Sequence, residues 1–308
     1  MDIFLQQIIN GLTLGSVYAI VALGYTMVYG IIQLINFAHG EVVMIGAMVA
    51  FTVITWLAAN TELPPLVIVL IGAGAAIPVC MLVGYGLERL AYRRLRHAPR
   101  LAPLITAIGA SIVLQNIAMM IWSRNPLAFP QIIPIQVFDI AGATISLVQI
   151  AIIATSIAMM VGLTLIVYRT KLGVAMRATS QNPHIAGLMG VDINRVIAAT
   201  FMIGAALAAV AGVMVGTYYG IAHYTMGSLL GLKAFSAAVL GGIGNLAGAM
   251  LGGMLLGIVE ALGTGYIGDL TNNVFGSNYQ DVFAFLVLIA VLVFRPSGLL
   301  GERVGDRA

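Results

Sequence analysis

GVAMRATSQNPHIAGLMGVDINR, residues Gly173–Arg195, is a polar, turn-punctuated island between two long apolar runs, Leu147–Tyr168 and Val196–Tyr218. Each flanking run is long enough to cross the roughly 30 Å hydrocarbon core of a bilayer, which takes about 20 mostly apolar residues. The island therefore reads as a loop at a membrane surface, and a large polar loop on such a chain usually has something docked on it. Within it, Asn182 followed by Pro183 has the form of a helix start, with Asn as the cap and Pro at the first helical position. Gly190 is a natural stop. The spacing predicts a helix of about two turns over Pro183–Met189, with Asp192 or Asn194 capping the run that follows. So short a helix does not fold alone, and its apolar face of Ile185, Leu188 and Met189 calls for a partner, either another protein or the lipid surface.

Outward from the island the chain stays apolar. Of its 308 residues 61% are hydrophobic and 8% charged, with a mean hydropathy of +1.05, whereas soluble domains carry about 25% charged residues. Seven more apolar runs are present: Phe4–Tyr29, Val42–Trp56, Leu66–Leu90, Leu101–Trp122, Leu229–Gly241, Ala247–Leu262 and Val282–Phe294. The fold expected is an all-α polytopic membrane protein of eight to ten transmembrane helices, some broken or re-entrant, forming one transmembrane domain over residues 1–308. No basic segment precedes the first run, so it is expected to be retained as a span. Twelve of the fourteen Lys and Arg fall in three clusters: Arg89, Arg93, Arg94, Arg96 and Arg100; Arg169, Lys171, Arg177 and Arg195; Arg295, Arg303 and Arg307. By the positive-inside rule all three face the cytoplasm, which places the N-terminus outside and the C-terminus inside. The net charge of +3 is then a topological signal and not a nucleic-acid footprint. The outer loop Ser123–Thr144 is too short for a separate domain.

A faint internal echo joins Tyr29-Gly30-Ile31, which ends the first run, to Tyr219-Gly220-Ile221, which ends the sixth. On this topology the two copies would be inverted, an arrangement that places substrate pathways at the repeat interface. Polar groups that hydrocarbon tolerates poorly are Asn36, His39, Glu41, Gln115, Asn116, Lys233 and Glu260. A charge at the bilayer centre costs about 2.5–3.5 kcal/mol on insertion scales, so such groups normally face a bundle interior or a wet cavity. They are the candidate pathway residues, several with a structural alternative, and Glu260 is the least easily explained as solvated. His39 suits a structural hydrogen bond, Glu41 a helix N-terminus at the inner interface, Lys233 a snorkelling position or an acidic partner, and Gln115 and Asn116 bonds between helices.

Enzymatic motifs are missing. There is no GxxxxGK[ST], no HExxH and no pair of His four residues apart, so neither a phosphate cradle nor a metal site is expected. Cys80, the single cysteine, excludes an internal disulfide. The run AVLGGIGNLAGAMLGG reads as a tight turn between closely packed helices. Energy for transport must come from an ion gradient, with Glu41, Lys233 or Glu260 as coupling group, or from another subunit.

Three long segments carry a resemblance: YAIVALGYTMVYGIIQLINFAHGE, GVAMRATSQNPHIAGLMGVDINRVIAATFMIGAALAAVAGVMVG and LKAFSAAVLGGIGNLAGAMLGGMLLGIVEAL. They resemble the LivH-type permeases of bacterial branched-chain amino acid importers of the ATP-binding-cassette class, from about Phe4 to Gly301. The resemblance implies a multi-pass subunit of the bacterial inner membrane. It would work with a second, LivM-like permease, two cytosolic ATP-binding subunits and a periplasmic amino-acid-binding protein, surrounded by membrane lipid and without nucleic acid. No cofactor is implied in this chain, since ATP and Mg would be used by the partner subunits. The loop at about 170–195, with Arg177, Asn182, Pro183, Ala186, Leu188 and Gly190, would correspond to the ATPase-docking region. Leucine, isoleucine or valine is the cargo implied, although similar sequences carry urea, short amides or other amino acids.

Overall fold

The structure, a computed structural model, describes residues 2–96, 98, 99, 101–134, 136–140, 142–270 and 279–301. Arg100, Arg303 and Arg307 of the basic clusters lie outside the described residues. Each of the nine apolar runs forms a helix: α1 (Asp2–Ile32), α2 (His39–Asn60), α3 (Pro65–Leu87), α4 (Leu101–Ile121), α5 (Leu147–Arg169), α8 (Ile193–Tyr219), α9 (Met226–Gly241), α10 (Leu246–Leu270) and α11 (Gln280–Phe294). Among the described residues seven helices are long and apolar enough to cross a membrane, and α9 and α11, of 16 and 15 residues, are shorter apolar helices. The helix of α3 continues through a π-helical turn, Glu88–Tyr92, and a 3₁₀ turn, Arg93–Leu95.

The island is more ordered than a loop. It folds into a helical hairpin, α6 (Lys171–Gln181) and α7 (Pro183–Leu188), of which the first helix was not expected. Thr170 caps α6 by accepting from the Gly173 amide at 3.0 Å, and Gly173, Met176 and Thr179, spaced three apart, turn inward. Asn182 caps α7 through the Ile185 amide at 3.1 Å, Gly190 follows at φ +87°, and Asp192 caps α8 through the Arg195 amide. The short helix thus ends one residue before its expected limit. The outer loop holds β1 (Leu127–Ala128) and a hairpin of β2 (Val137–Ile140) and β3 (Ala143–Ser146). β1 pairs antiparallel with β4 (Ile221–Ala222), which fastens the loop to the end of α8.

The core is built around α1 and α8, which run antiparallel and carry most of the buried side chains, while α3, α4 and α5 expose broad apolar faces. The echo is visible in the packing. Exchanging α1, α2 and α3 for α8, α9 and α10 turns the α2–α3 contact into α9–α10, α3–α8 into α10–α1 and α2–α8 into α9–α1, and each of these contacts exists. The first helix of each set ends on a left-handed residue, Gln33 at φ +52° and Gly220 at φ +67°. A short break then leads into α2 or α9. The starts of those two helices meet backbone to backbone: a Cβ on Gly40 would lie 2.3 Å from the Gly227 carbonyl oxygen, and one on Gly227 would lie 2.4 Å from that of Gly40. Only glycine permits this approach, so both broken helices begin at a shared central point.

Candidate functional site

Two polar centres lie inside the bundle. At the first, Glu41 in the opening turn of α2 is almost fully buried and accepts from Gln115 Nε2 at 2.7 Å and Ser111 Oγ at 3.1 Å, both from the middle of α4. It stands in the interior and not at a surface edge. Gln115 also donates to Ser228 at 3.1 Å, tying α4 to α9. Oε2 of Glu41 and Nε2 of His39 have no hydrogen-bond partner among the described residues. His39 lies edge-on to Tyr25 and against the backbone of Gly24, where a Cβ would meet its ring at 2.2 Å. Asn36, in the break after α1, accepts from the Tyr92 hydroxyl at 3.0 Å. Asn116 is not part of this cluster: it faces outward and bonds the Ile112 carbonyl of its own helix.

The second centre joins Lys233 of α9 to Glu260 of α10. Lys233 Nζ is 2.6 Å from Glu260 Oε1 and 2.6 Å from Asp281 Oδ1 at the start of α11. Glu260 is fully buried and also accepts from the Tyr18 hydroxyl at 3.1 Å and from Gln280. The lysine therefore pairs with acids and does not snorkel. Asp281 had no signal in the sequence, because it stands between a polar stretch and an apolar run and its partner lies far away along the chain. Above this centre a cavity of about 520 Å³ opens among Tyr18, Val215, Tyr219, Met226, Leu229 and Asp281. It lies at the C-terminal end of α8, some 40 Å of helix away from α7.

Removing one member of a buried ion pair leaves the other uncompensated, at a typical cost of about 3–5 kcal/mol. Lys233→Met is accordingly expected to lower the thermal unfolding temperature of the purified protein markedly. Lys233→Met combined with Glu260→Gln should recover part of the loss. Equal unfolding temperatures for wild type and Lys233→Met would show that the pair is not needed for stability.

A third charged group joins Glu88, which was given no reading in the sequence, to two arginines that were read there only as a topological signal. Glu88 is fully buried and bound by Arg93 at 2.7 Å and by Arg96, which also donates to Asn194 Oδ1 at 2.7 Å. These contacts brace the end of α3 against the start of α8, directly below the hairpin.

The outer helix of the hairpin, α7, is almost wholly exposed. From Gln181 to Gly190 every residue except Ala186 faces outward, and Ile185, Leu188 and Met189 are 56%, 75% and 80% exposed. Arg177 stands outward on α6 with its guanidinium 5.2 Å from the centre of the Tyr168 ring. Ala186 is the anchor, packed inward, and Asn182 and Pro183 fix the turn that presents the apolar face. Asn182→Ala is expected to cost about 1 kcal/mol of local helix stability, read as faster hydrogen exchange at the amides of α7 and no change elsewhere.

The sequence profile described as branched-chain amino acid transport system / permease component matches residues 7–292. The chain is 50% identical over 304 residues to the high-affinity branched-chain amino acid transport system permease protein BraD of Pseudomonas aeruginosa, covering 97% of this chain and 96% of that one. It is 44% identical to the LivH permease protein of Escherichia coli K12, with the same coverage. To a probable LivH of Methanocaldococcus jannaschii it is 28% identical over 97% of its length and 94% of that protein. No solved structure matches. With one profile spanning nearly the whole chain and one relative at half identity end to end, this protein belongs to the family of branched-chain amino acid transport permease components.

Proposed function

We propose that the chain is the membrane-spanning permease subunit of an ATP-binding-cassette importer that moves leucine, isoleucine and valine across the bacterial inner membrane. The observation that carries this reading is the end-to-end match to permeases whose names give that cargo. The chain holds no catalytic centre in this reading. Two ATP-binding subunits engage α6 and α7 on the cytosolic side, a LivM-like permease completes the membrane pair, and a periplasmic binding protein delivers the amino acid at the opposite end. The N-terminus is then outside and the C-terminus inside, in keeping with the basic residues around the hairpin.

Mechanically, the exposed face of Ile185, Leu188 and Met189 supplies an apolar contact of the kind that anchors interfaces. The hairpin is joined to α5 through Thr170 alone and to α8 through the four residues Met189–Asp192, and α8 forms half of the core, so a push on α7 is passed along α8 to the central contact of α2 and α9 and to the cavity beyond it. Small residues at those contacts allow helices to slide against one another. The domain is one unit over residues 1–308.

Calorimetry on the cognate binding protein tests the cargo. Leucine, isoleucine and valine are expected to bind. A protein that binds urea or a short amide and no aliphatic amino acid would overturn that assignment while leaving the machine in place.

A further inference from the structure

The cavity over the Lys233 centre combines features that a site for an aliphatic zwitterion needs. Its floor holds Lys233 against Asp281 at 2.6 Å, and behind the lining the buried Glu260 lies 2.6 Å from the same ammonium. These acids are not equivalent: Glu260 is fully buried, while the Asp281 side chain is 40% exposed. One wall is apolar, with Val215, Met226 and Leu229, and Tyr219, His223, Thr225 and Gln280 make the lining polar elsewhere. The volume, about 520 Å³, is in the range of small-molecule sites. From Thr225 at the rim to Lys233 the pocket descends about 12 Å along α9.

We infer that this cavity is an amino-acid-binding station in which the contact between Lys233 and Asp281 opens to clamp an aliphatic zwitterion. The α-carboxylate takes Lys233 and the α-ammonium takes Asp281, so every charge exchanged in the opening is matched. Glu260 keeps its hold on Lys233, and the bonds from Tyr18 and Gln280 keep Glu260 in place, so the lysine is presented in a fixed position when Asp281 lets go. Before the ligand arrives the floor carries one carboxylate more than it has ammonium groups. That excess favours a ligand with a cationic group and disfavours a simple fatty acid. The aliphatic side chain lies on Val215, Met226 and Leu229, which removes it from water. This station rests on the proposed function, and it names the part of the pathway where cargo stops.

The native chain makes a clean probe possible, because its one cysteine, Cys80, is completely buried. Met226→Cys places a thiol on the cavity wall of the complete transporter in lipid nanodiscs, where its rate of reaction with a methanethiosulfonate reagent is measured. L-Leucine is expected to slow labelling. 4-Methylpentanoate, lacking the ammonium, and 3-methylbutylamine, lacking the carboxylate, are expected to need about tenfold or more concentration, the loss that one charge-assisted hydrogen bond represents. Asp281→Asn should abolish protection by leucine, and Asp281→Glu should retain it. Leucine uptake by proteoliposomes holding the wild-type and the Met226→Cys complexes separates the two levels of the argument. Normal uptake by Met226→Cys without protection, or equal protection in Met226→Cys with and without Asp281→Asn, overturns the station alone. No uptake of leucine by the wild-type complex overturns the function on which it rests.

Discussion

Leu188→Asp is expected to leave the permease inserted and folded while recruitment of its ATP-binding subunits falls about thirtyfold. Leu188 is 75% exposed at the centre of the α7 face, between Ile185 and Met189. Its side chain supports nothing within the chain, so the substitution should not alter the fold. In a docked state the same side chain is buried against a partner, and an apolar anchor of this kind is worth about 2 kcal/mol or more. A carboxylate there must also be stripped of water without a compensating bond. The corresponding change in affinity is about thirtyfold. Co-purification of the ATP-binding subunits reads the recruitment, and hydrolysis stimulated by the loaded binding protein reads the coupling. Unchanged stoichiometry together with normal stimulated hydrolysis would reject α7 as the docking element.

Gly257→Leu is expected to destabilise the membrane domain strongly. α1 and α10 run antiparallel in close contact, with Gly11 and Gly15 of α1 against Met254, Gly257 and Ile258 of α10. A Cβ on Gly257 would lie 2.2 Å from the Gly15 nitrogen, 2.4 Å from its Cα and 2.5 Å from the Gly11 carbonyl oxygen. All three atoms are backbone, so no side chain can rotate away and the helices must separate. Overpacking of well-packed cores typically costs about 1–3 kcal/mol and at times more, and a rigid backbone contact belongs at the upper end. Gly162→Ala is the matched control. Gly162 lies in α5 with nothing within 4 Å of an added Cβ, and replacing a helical glycine by alanine gains up to about 1 kcal/mol. Thermal unfolding in detergent should show a large loss for Gly257→Leu and no loss for Gly162→Ala. Comparable curves for both would mean that the α1–α10 contact is looser than described.

The fold was legible where it depends on hydrophobic run length, since every one of the nine runs is a helix with ends within four residues of those expected, except that α10 continues eight residues past Leu262. The capping of α7 was equally legible, because Asn182, Pro183 and Gly190 act through local backbone geometry that a few residues determine. α6 was missed although its eleven residues are amphipathic, because the polar island was read as loop on both sides of Pro183–Met189. The echo between Tyr29-Gly30-Ile31 and Tyr219-Gly220-Ile221 is inexact in the structure: Gly220 is itself the left-handed residue that ends α8, whereas Tyr29-Gly30-Ile31 lies in the last turn of α1 and the left-handed residue there is Gln33.

Site geometry was legible only in part. That Lys233 and Glu260 need partners follows from the cost of charge in hydrocarbon, but that they are each other's partner follows from the antiparallel packing of α9 on α10, which no spacing rule supplies. Asp281 was invisible for the same reason, and Glu88 because an acid beside a cluster of arginines reads as solvated. Asn116 and Gln115 are neighbours in sequence but project in different directions on α4, one outward and one onto Glu41.

Uptake of labelled L-leucine by proteoliposomes holding the assembled transporter, with the binding protein outside and ATP within, tests the central claim most directly. The expected result is accumulation that requires both ATP and the binding protein, is lost with hydrolysis-deficient ATP-binding subunits, and is competed by isoleucine and valine but not by urea. Accumulation that persists without ATP hydrolysis and follows an imposed ion gradient would contradict it.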